Sequence, residues 1–324
     1  MKAVVCSTLD GPSALTFENI DAPTVSAGMV RVAVKAAAIN FPDILITQGK
    51  YQMRPDLPFV PGGEGAGIVE EVGDGVTHLA IGDAVCFTAS HGAFAEQAVI
   101  PAIVTMKTPS AMSFKEAAAL TITYATSYHA LKQRANLMEG ETLLVLGAAG
   151  GVGLAAIELG KAMGATVIAA ASTDEKLAVC KAAGADALLN YTTTDLKAGI
   201  KDCAPRGVDV VYDPVGGDFS ETALRSLRAN GRHLVIGFAA GDIPKIPLNL
   251  TLLKQCQIVG VFWGAWAMAN PADQAANMAD IFKLYGEGKV KPRVEDSYKL
   301  EEYADAFACV SERRVKGKVV LEIG

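Results

Sequence analysis

The stretch Leu143 to Lys161, LLVLGAAGGVGLAAIELGK, constrains the fold more than any other part of this 324-residue chain. Leu143 to Leu146 read as a fully buried strand, Gly147 to Gly153 as a glycine-rich turn, and Leu154 onward as a helix with small residues toward the sheet. Strand, glycine loop and helix in that order make a phosphate cradle. The first amides of a helix have no intrahelical acceptor and carry a partial positive charge, so a dinucleotide pyrophosphate sits there if no Cβ blocks it. Gly150, Gly151 and Gly153 remove that obstacle. The match to G-x-G-x-x-G is imperfect, because Ala148 stands at the first glycine position and the glycines recur at 147, 150 and 153. By itself the loop is also compatible with a tight turn whose glycines serve packing only.

The residues beyond the loop complete a βαβ unit. Thr166 to Ala170 reads as a second apolar strand, and Ser172 with Glu175 has capping-box spacing at the start of a second helix. An acidic residue at the end of that second strand would bind the ribose 2′-hydroxyl of NAD. Here the strand ends Ala170-Ala171-Ser172, without a carboxylate. Ser172 and Lys176 suit a 2′-phosphate instead, through a hydrogen bond and a point charge. The competing reading leaves Ser172 as a cap and Lys176 as a solvated charge.

The length predicts two domains, and 51% apolar residues suffice for two cores. A net charge of −6, with no basic block, argues against nucleic acid as a partner. The N-terminal MKAVVCSTLDG lacks a signal-peptide pattern, and no uninterrupted run of 18 apolar residues occurs, so a cytoplasmic protein without membrane spans is expected. Six dispersed cysteines without a C-x-x-C pair read as reduced, buried small hydrophobes.

Residues 1–122 carry short β-patterned runs (Lys2 to Cys6, Met29 to Ala38, Gly67 to Val72, Asp83 to Phe87, Phe94 to Val99) broken by glycine and proline turns, which predicts an antiparallel, barrel-like domain. Helical spacing takes over from Met112 to Asn136. From Glu141 strands alternate with helices, the strands being placed at 142–147, 166–170, 187–190, 208–213, 233–237 and 257–261. Such alternation makes a doubly wound parallel sheet, so the fold class is α/β. The domains are thus expected at 1–122, joined by 271–324 returning to it, and at 123–270.

The chain resembles the medium-chain dehydrogenase/reductase superfamily, and within it the zinc-independent quinone oxidoreductases related to zeta-crystallin. The resemblance is carried by Asn40-Phe41-Pro42-Asp43, Gly49-Lys50-Tyr51, Pro61 to Gly67, Gly82 to Val85, Ala148 to Gly153, Asn190-Tyr191 and Gly317 to Leu321. It implies a GroES-like catalytic domain made of both termini and a Rossmann domain between them, with NADPH as cofactor. It also maps cofactor contacts onto Ala149, Gly150, Gly151 and Val152 at the pyrophosphate, and onto Ser172, Lys176 and Tyr191 around the adenosine phosphate. Gly237, Phe238, Phe262 and Trp263 would line the nicotinamide end, with Thr126 near its amide. Lys316 and Lys318 either approach the cofactor or guard an edge strand.

Zinc-dependent members place a cysteine where this chain has Ala38 or Ile39, and Gly-His-Glu where it has Gly62-Gly63-Glu64. A catalytic zinc needs about three protein ligands, and Glu64 alone does not supply them, so no metal is expected. On the substrate side, Asn40 is the expected donor to a carbonyl oxygen, and Tyr51 offers a ring face and a hydroxyl. Asp43 and Glu64 are expected to be structural. Leu45 replaces a second pocket tyrosine of some quinone reductases, which favours smaller enones or 2-alkenals. The expected activity is NADPH-dependent hydride transfer to quinones or activated C=C bonds; the alternatives are an enone reductase and a non-catalytic, crystallin-like NADPH-binding protein. The apolar strand 257–261 at a sheet edge predicts a homodimer.

Overall fold

The computed structural model describes residues 1–324. They form two compact units, residues 1–122 with 292–324, and residues 123–291. The first unit begins with strands β1 (Lys2–Val5), β2 (Thr16–Asn19), β3 (Met29–Ile39), β4 (Glu64–Val72), β5 (Ala84–Thr88), β6 (Gln97–Pro101) and β7 (Thr105–Lys107). The second contributes β8 (Thr142–Val145), β9 (Thr166–Ala171), β10 (Ala187–Asn190), β11 (Val208–Asp213), β12 (Leu227–Val235) and β13 (Gln257–Gly260). The chain then re-enters the first unit with β14 (Val294–Lys299) and β15 (Lys318–Glu322).

The return falls at residue 292, not at 271. Helix Pro271–Gly286 stays with the second unit because its polar face is bonded there. Asp280 accepts from Tyr128 Oη at 2.8 Å and Lys132 Nζ at 3.0 Å, and Asn277 Oδ1 accepts from Gln133 Nε2 at 2.8 Å. Asn270-Pro271 therefore marks a helix start, where proline is tolerated.

In the first unit a seven-stranded sheet has the order β14-β15-β3-β4-β5-β7, with β6 also on β3; only the β14–β15 pair is parallel. The first half of β3 pairs with β6 and its last four residues pair with β15, while β4 runs along the other side. Side chains of β3 alternate between core and half-exposed positions as far as Lys35, and from Ala36 to Ile39 all are buried. Val32, Val34, Phe87, Phe94 and Phe307 belong to the core against this sheet. β15 lies inside the sheet, so Lys318 does not guard an edge.

In the second unit six parallel strands run β10-β9-β8-β11-β12-β13, which is the order 3-2-1-4-5-6 of a doubly wound dinucleotide-binding sheet when the unit's strands are counted alone. Central β8 and the residue after it, Leu143 to Leu146, are fully buried, and Leu144, Leu146, Ile168, Ala170 and Val211 share one core cluster. β12 starts six residues before the expected 233, through an irregular stretch in which Asn230 has φ 66°.

Candidate active site

Parallel strands aligned in one sheet bring the residues after their carboxyl ends to a single edge, the edge where such sheets bind ligands. The glycine loop follows β8, Ser172 follows β9, Tyr191 follows β10, Gly237 and Phe238 follow β12, and Phe262 and Trp263 follow β13. The second unit's cofactor candidates apart from Thr126 thus share that edge.

The helix after the loop is Gly151–Ala162, three residues earlier than expected, with Gly150 as its N-cap. Gly147 takes φ 55°, a region glycine enters without steric cost. A Cβ on Gly153 would stand 2.6 Å from the Ala148 carbonyl oxygen and 2.7 Å from that of Gly147, so the loop turns this tightly only with glycine there. No side chain caps the helix and its first turn holds no acidic residue. The amides of Gly151 and Val152 therefore suit an anionic pyrophosphate. Ala149 is buried in the loop. Thr126 is half-buried on helix Phe114–His129, next to Ser127, whose hydroxyl donates to the Val152 carbonyl at 3.0 Å and accepts from Tyr212 Oη at 2.8 Å.

At the end of β9 the capping differs from expectation. Thr173, not Ser172, is the N-cap of helix Asp174–Ala182, its hydroxyl accepting the Lys176 N–H. β9 runs through Ala171, which moves the helix start one residue along. Ser172 is left beside Lys176, whose Nζ donates to Ser172 Oγ at 3.4 Å. A hydroxyl and an ammonium thus stand together just beyond the second strand, whose last residues, Ala170 and Ala171, carry no carboxylate. The Tyr191 ring packs on Phe219 with centroids 4.7 Å apart. Trp263 Nε1 donates to Gln274 Oε1 at 2.9 Å, while Phe262 is more than half exposed.

Sequence reasoning missed Asp213 at the end of β11. Its Oδ1 accepts the N–H groups of Val215 and Gly216 at 2.9 Å each, and its Oδ2 accepts Ser220 Oγ at 2.5 Å and His233 Nε2 at 3.1 Å. Burial raises the Asp213 pKa, but the bonds from His233, Ser220 and Gly216 outweigh it and hold the carboxyl below its ordinary value. Asp213 thereby fixes the turn whose Val215 lies against Gly147.

The first unit holds a second polar centre. Lys318 Nζ donates to Ile39 O at 3.2 Å, Asn40 Oδ1 at 2.6 Å and Glu64 Oε1 at 2.8 Å. Asn40 Nδ2 donates to Glu64 Oε1 at 2.9 Å and Ala38 O at 3.3 Å, and Glu64 Oε2 accepts the Ile122 N–H at 2.6 Å. The sequence predicts that Asn40 donates to a substrate oxygen, but both of its amide hydrogens are committed inside the protein. Asp43 Oδ2 accepts the Asn40 N–H at 2.7 Å. Burial pushes the Asp43 pKa up to about 7, against the pull of the Asn40 N–H and the Lys318 ammonium. Tyr51 is half-buried against the core, and burial, then the nearby Asp43, raise its phenol pKa. Lys316 lies before β15 and pairs with Glu295 at 3.3 Å.

No group of three or more His, Cys, Asp and Glu residues is placed to hold a metal ion. The centre that contains Glu64 already has a cation, the Lys318 ammonium, and its remaining donors are amides. These residues do not fit a catalytic zinc.

Residues 26–110 match the family described as alcohol dehydrogenase GroES-like domain, and residues 151–280 that described as zinc-binding dehydrogenase. A protein of Nematostella vectensis named quinone oxidoreductase-like protein 2 homolog is 39% identical, over 99% of this chain and 88% of its own length. The quinone oxidoreductase structure from Pseudomonas syringae superposes with a TM-score of 0.92 at 32% identity, covering 99% of each chain. That of the Escherichia coli quinone oxidoreductase complexed with NADPH gives 0.92 at 29% identity, over 99% of this chain and 100% of its own. The chain belongs to the medium-chain dehydrogenase/reductase superfamily of oxidoreductases, in its quinone oxidoreductase branch.

Proposed function

We propose that the protein is an NADPH-dependent oxidoreductase that delivers hydride to quinones or to C=C bonds conjugated to a carbonyl, without zinc. The observation that carries this reading is the carboxyl edge of the parallel sheet. An uncapped helix N-terminus stands after β8, and Ser172 with Lys176 after β9 takes the place of an acidic residue. The E. coli relative whose structure contains NADPH supports the cofactor. Ala149, Gly150, Gly151 and Val152 hold the pyrophosphate; Ser172, Lys176 and Tyr191 hold the 2′-phosphate end; Thr126, Gly237, Phe238, Phe262 and Trp263 flank the nicotinamide; Lys316 is a further contact.

When bound, NADPH supplies the hydride. The chain's own residues bind it, orient it and complete the charge balance on the substrate. Reduction leaves negative charge on the substrate oxygen, which a donor must stabilise. With the Asn40 amide committed elsewhere, Tyr51 is the substrate-side donor: a phenol keeps its proton at neutral pH, and burial and the nearby Asp43 raise its pKa further. Asn40 supports the loop that presents it.

Zinc independence rests on the donor set: Glu64 is bonded to an ammonium and to amides, and no three His, Cys, Asp or Glu residues are grouped to hold a metal. A homodimer through β13 rests on that strand's place at the sheet edge. A cytoplasmic location agrees with six free cysteines and with no helix long and apolar enough to cross a membrane.

NADPH oxidation against a panel of quinones, enones and 2-alkenals, with and without a strong chelator, tests the function. Turnover that survives the chelator is expected. Saturable NADPH binding with no turnover on any acceptor would favour the crystallin-like alternative, and chelator-sensitive turnover with stoichiometric zinc would overturn zinc independence.

A further inference from the structure

Asn40, Asp43, Glu64 and Lys318 are 7%, 2%, 0% and 5% exposed, and they form one polar cluster in an otherwise apolar core. Three of the four are saturated. Lys318 spends its three donors on Ile39 O, Asn40 Oδ1 and Glu64 Oε1. Asn40 spends both amide hydrogens, and each Glu64 oxygen accepts at least one hydrogen bond. Asp43 differs, since its carboxyl takes the backbone N–H groups of Asn40 and Gly63 but no side-chain donor.

The titratable groups that face Asp43 are Lys318 from β15, Glu64 from β4 and Tyr51 from the loop after helix Phe41–Thr47. One ammonium therefore serves two carboxyls, and it is bonded to Glu64. A second bare carboxylate would leave uncompensated charge in the core, and the inexpensive way to remove it is a proton. Asp43 is the carboxyl without a cationic bond, so the proton goes there.

We propose that this cluster is a proton-exchanging positioning device for the substrate side of the catalytic unit, with Lys318 as its fixed cation and Asp43 as the group that gains and loses the proton. The proposal rests on the reading of Tyr51 as the substrate-side donor. Ionised Asp43 grips the N–H of Asn40, where helix Phe41–Thr47 begins, and the N–H of Gly63, next to the start of β4. Protonated Asp43 is a weaker acceptor and holds both more loosely. Lys318 and Asp43 are positioning residues: they set the segment leading to Tyr51 and do not touch the reacting atoms.

A ¹³C-carboxyl NMR titration of the full-length protein reads the proton directly, the Asp43 signal being assigned by its loss in Asp43→Asn. A wild-type midpoint of about 7 is expected. Lys318→Met should move it alkaline by about one pH unit or more, and Glu64→Gln should move it acid, since one removes a favourable charge and the other an unfavourable one. Single-turnover NADPH oxidation by an accepted quinone or enone should fall to a lower plateau as pH drops through the same midpoint, and should be flat in Asp43→Asn. A wild-type midpoint below about pH 5 overturns the proton assignment, and needs no variant to fold. A midpoint of about 7 that the rate profile ignores overturns the positioning role. Absence of turnover with every acceptor overturns the proposed function and the positioning role with it, and leaves the NMR midpoint to decide the proton.

Discussion

Lys318 Nζ lies 2.8 Å from Glu64 Oε1, and only 6% and 0% of the two side chains are exposed. Removing either partner strands the other. Glu64→Leu leaves the buried ammonium bonded only to neutral acceptors, with the Asp43 carboxyl near it but unbonded, and Lys318→Met leaves a buried carboxylate with amide donors only. Each should cost about 3–5 kcal/mol of stability, whereas removing both leaves no stranded charge and should cost less than the sum. Denaturant unfolding of the wild type, both single variants and the double variant measures the coupling. Additive losses would show that the two charges do not depend on one another.

Lys176 and Ser172 stand together at the end of β9, where a carboxylate would repel a 2′-phosphate. A charge-assisted contact of this kind is worth about 1.5–3 kcal/mol, so Lys176→Ala should weaken NADPH binding roughly 10- to 100-fold. NADH lacks the phosphate and should be nearly unaffected. Calorimetric titration of both cofactors checks the assignment, and equal losses would remove Lys176 from the 2′-phosphate site.

The parts of this molecule that are legible in its sequence are those built by neighbours in the chain. The turn of Gly147 to Gly153 declares itself because strand, loop and helix are contiguous, and six strand–helix alternations leave few ways to arrange the second unit. Lys318 is not legible in this way. A lysine in a strand reads as a solvated or edge charge, and only the pairing of β15 with β3, Val319 opposite Ile39, carries it to Asn40, 278 positions earlier. The same long-range pairing turns Asn40 from an expected free donor into a committed one. Asp213 hides for a similar reason: it ends an apolar strand, and its partner His233 comes from the next one. Local rules also slip by single residues, as where β9 runs to Ala171 and moves the cap from Ser172 to Thr173.

β13 is the last strand of its sheet, and the surrounding segment exposes Leu252, Leu253, Ile258, Phe262 and Met268. An apolar sheet edge with exposed large side chains is the surface a second chain covers. Sedimentation should find a dimer at micromolar concentration. Ile258→Lys places a charge on that edge and should shift the population toward monomer with the fold intact by circular dichroism. A wild-type monomer, or a dimer indifferent to Ile258→Lys, would move the interface elsewhere or remove it.

Glu158, on helix Gly151–Ala162, should give the second unit a pH dependence of unusual sign. Its Oε2 accepts Tyr124 Oη at 2.6 Å and the Lys291 N–H at 2.9 Å. Burial pushes its pKa up from 4.5 to about 7, and the bonds from Tyr124 and Lys291 pull it back only in part. Between these two values the folded protein holds the proton and the unfolded chain has lost it. Stability therefore falls as pH rises through this window; the contribution is complete below 4.5 and gone above about 7. A depressed carboxyl such as Asp213 behaves oppositely, its contribution being lost as pH falls through its folded value. Glu158→Gln mimics the protonated form and removes the titration. The difference in unfolding free energy between variant and wild type should shift in the variant's favour between about pH 5 and pH 7 and level off above about 7. The buried His129, whose pKa burial lowers, titrates in both proteins and cancels from that difference. Urea unfolding at a series of pH values from about 5 to about 8 supplies the comparison. A difference that stays flat across the series would mean that Glu158 ionises as an ordinary surface carboxylate and that the Tyr124 hydroxyl donates to a charge at every pH measured.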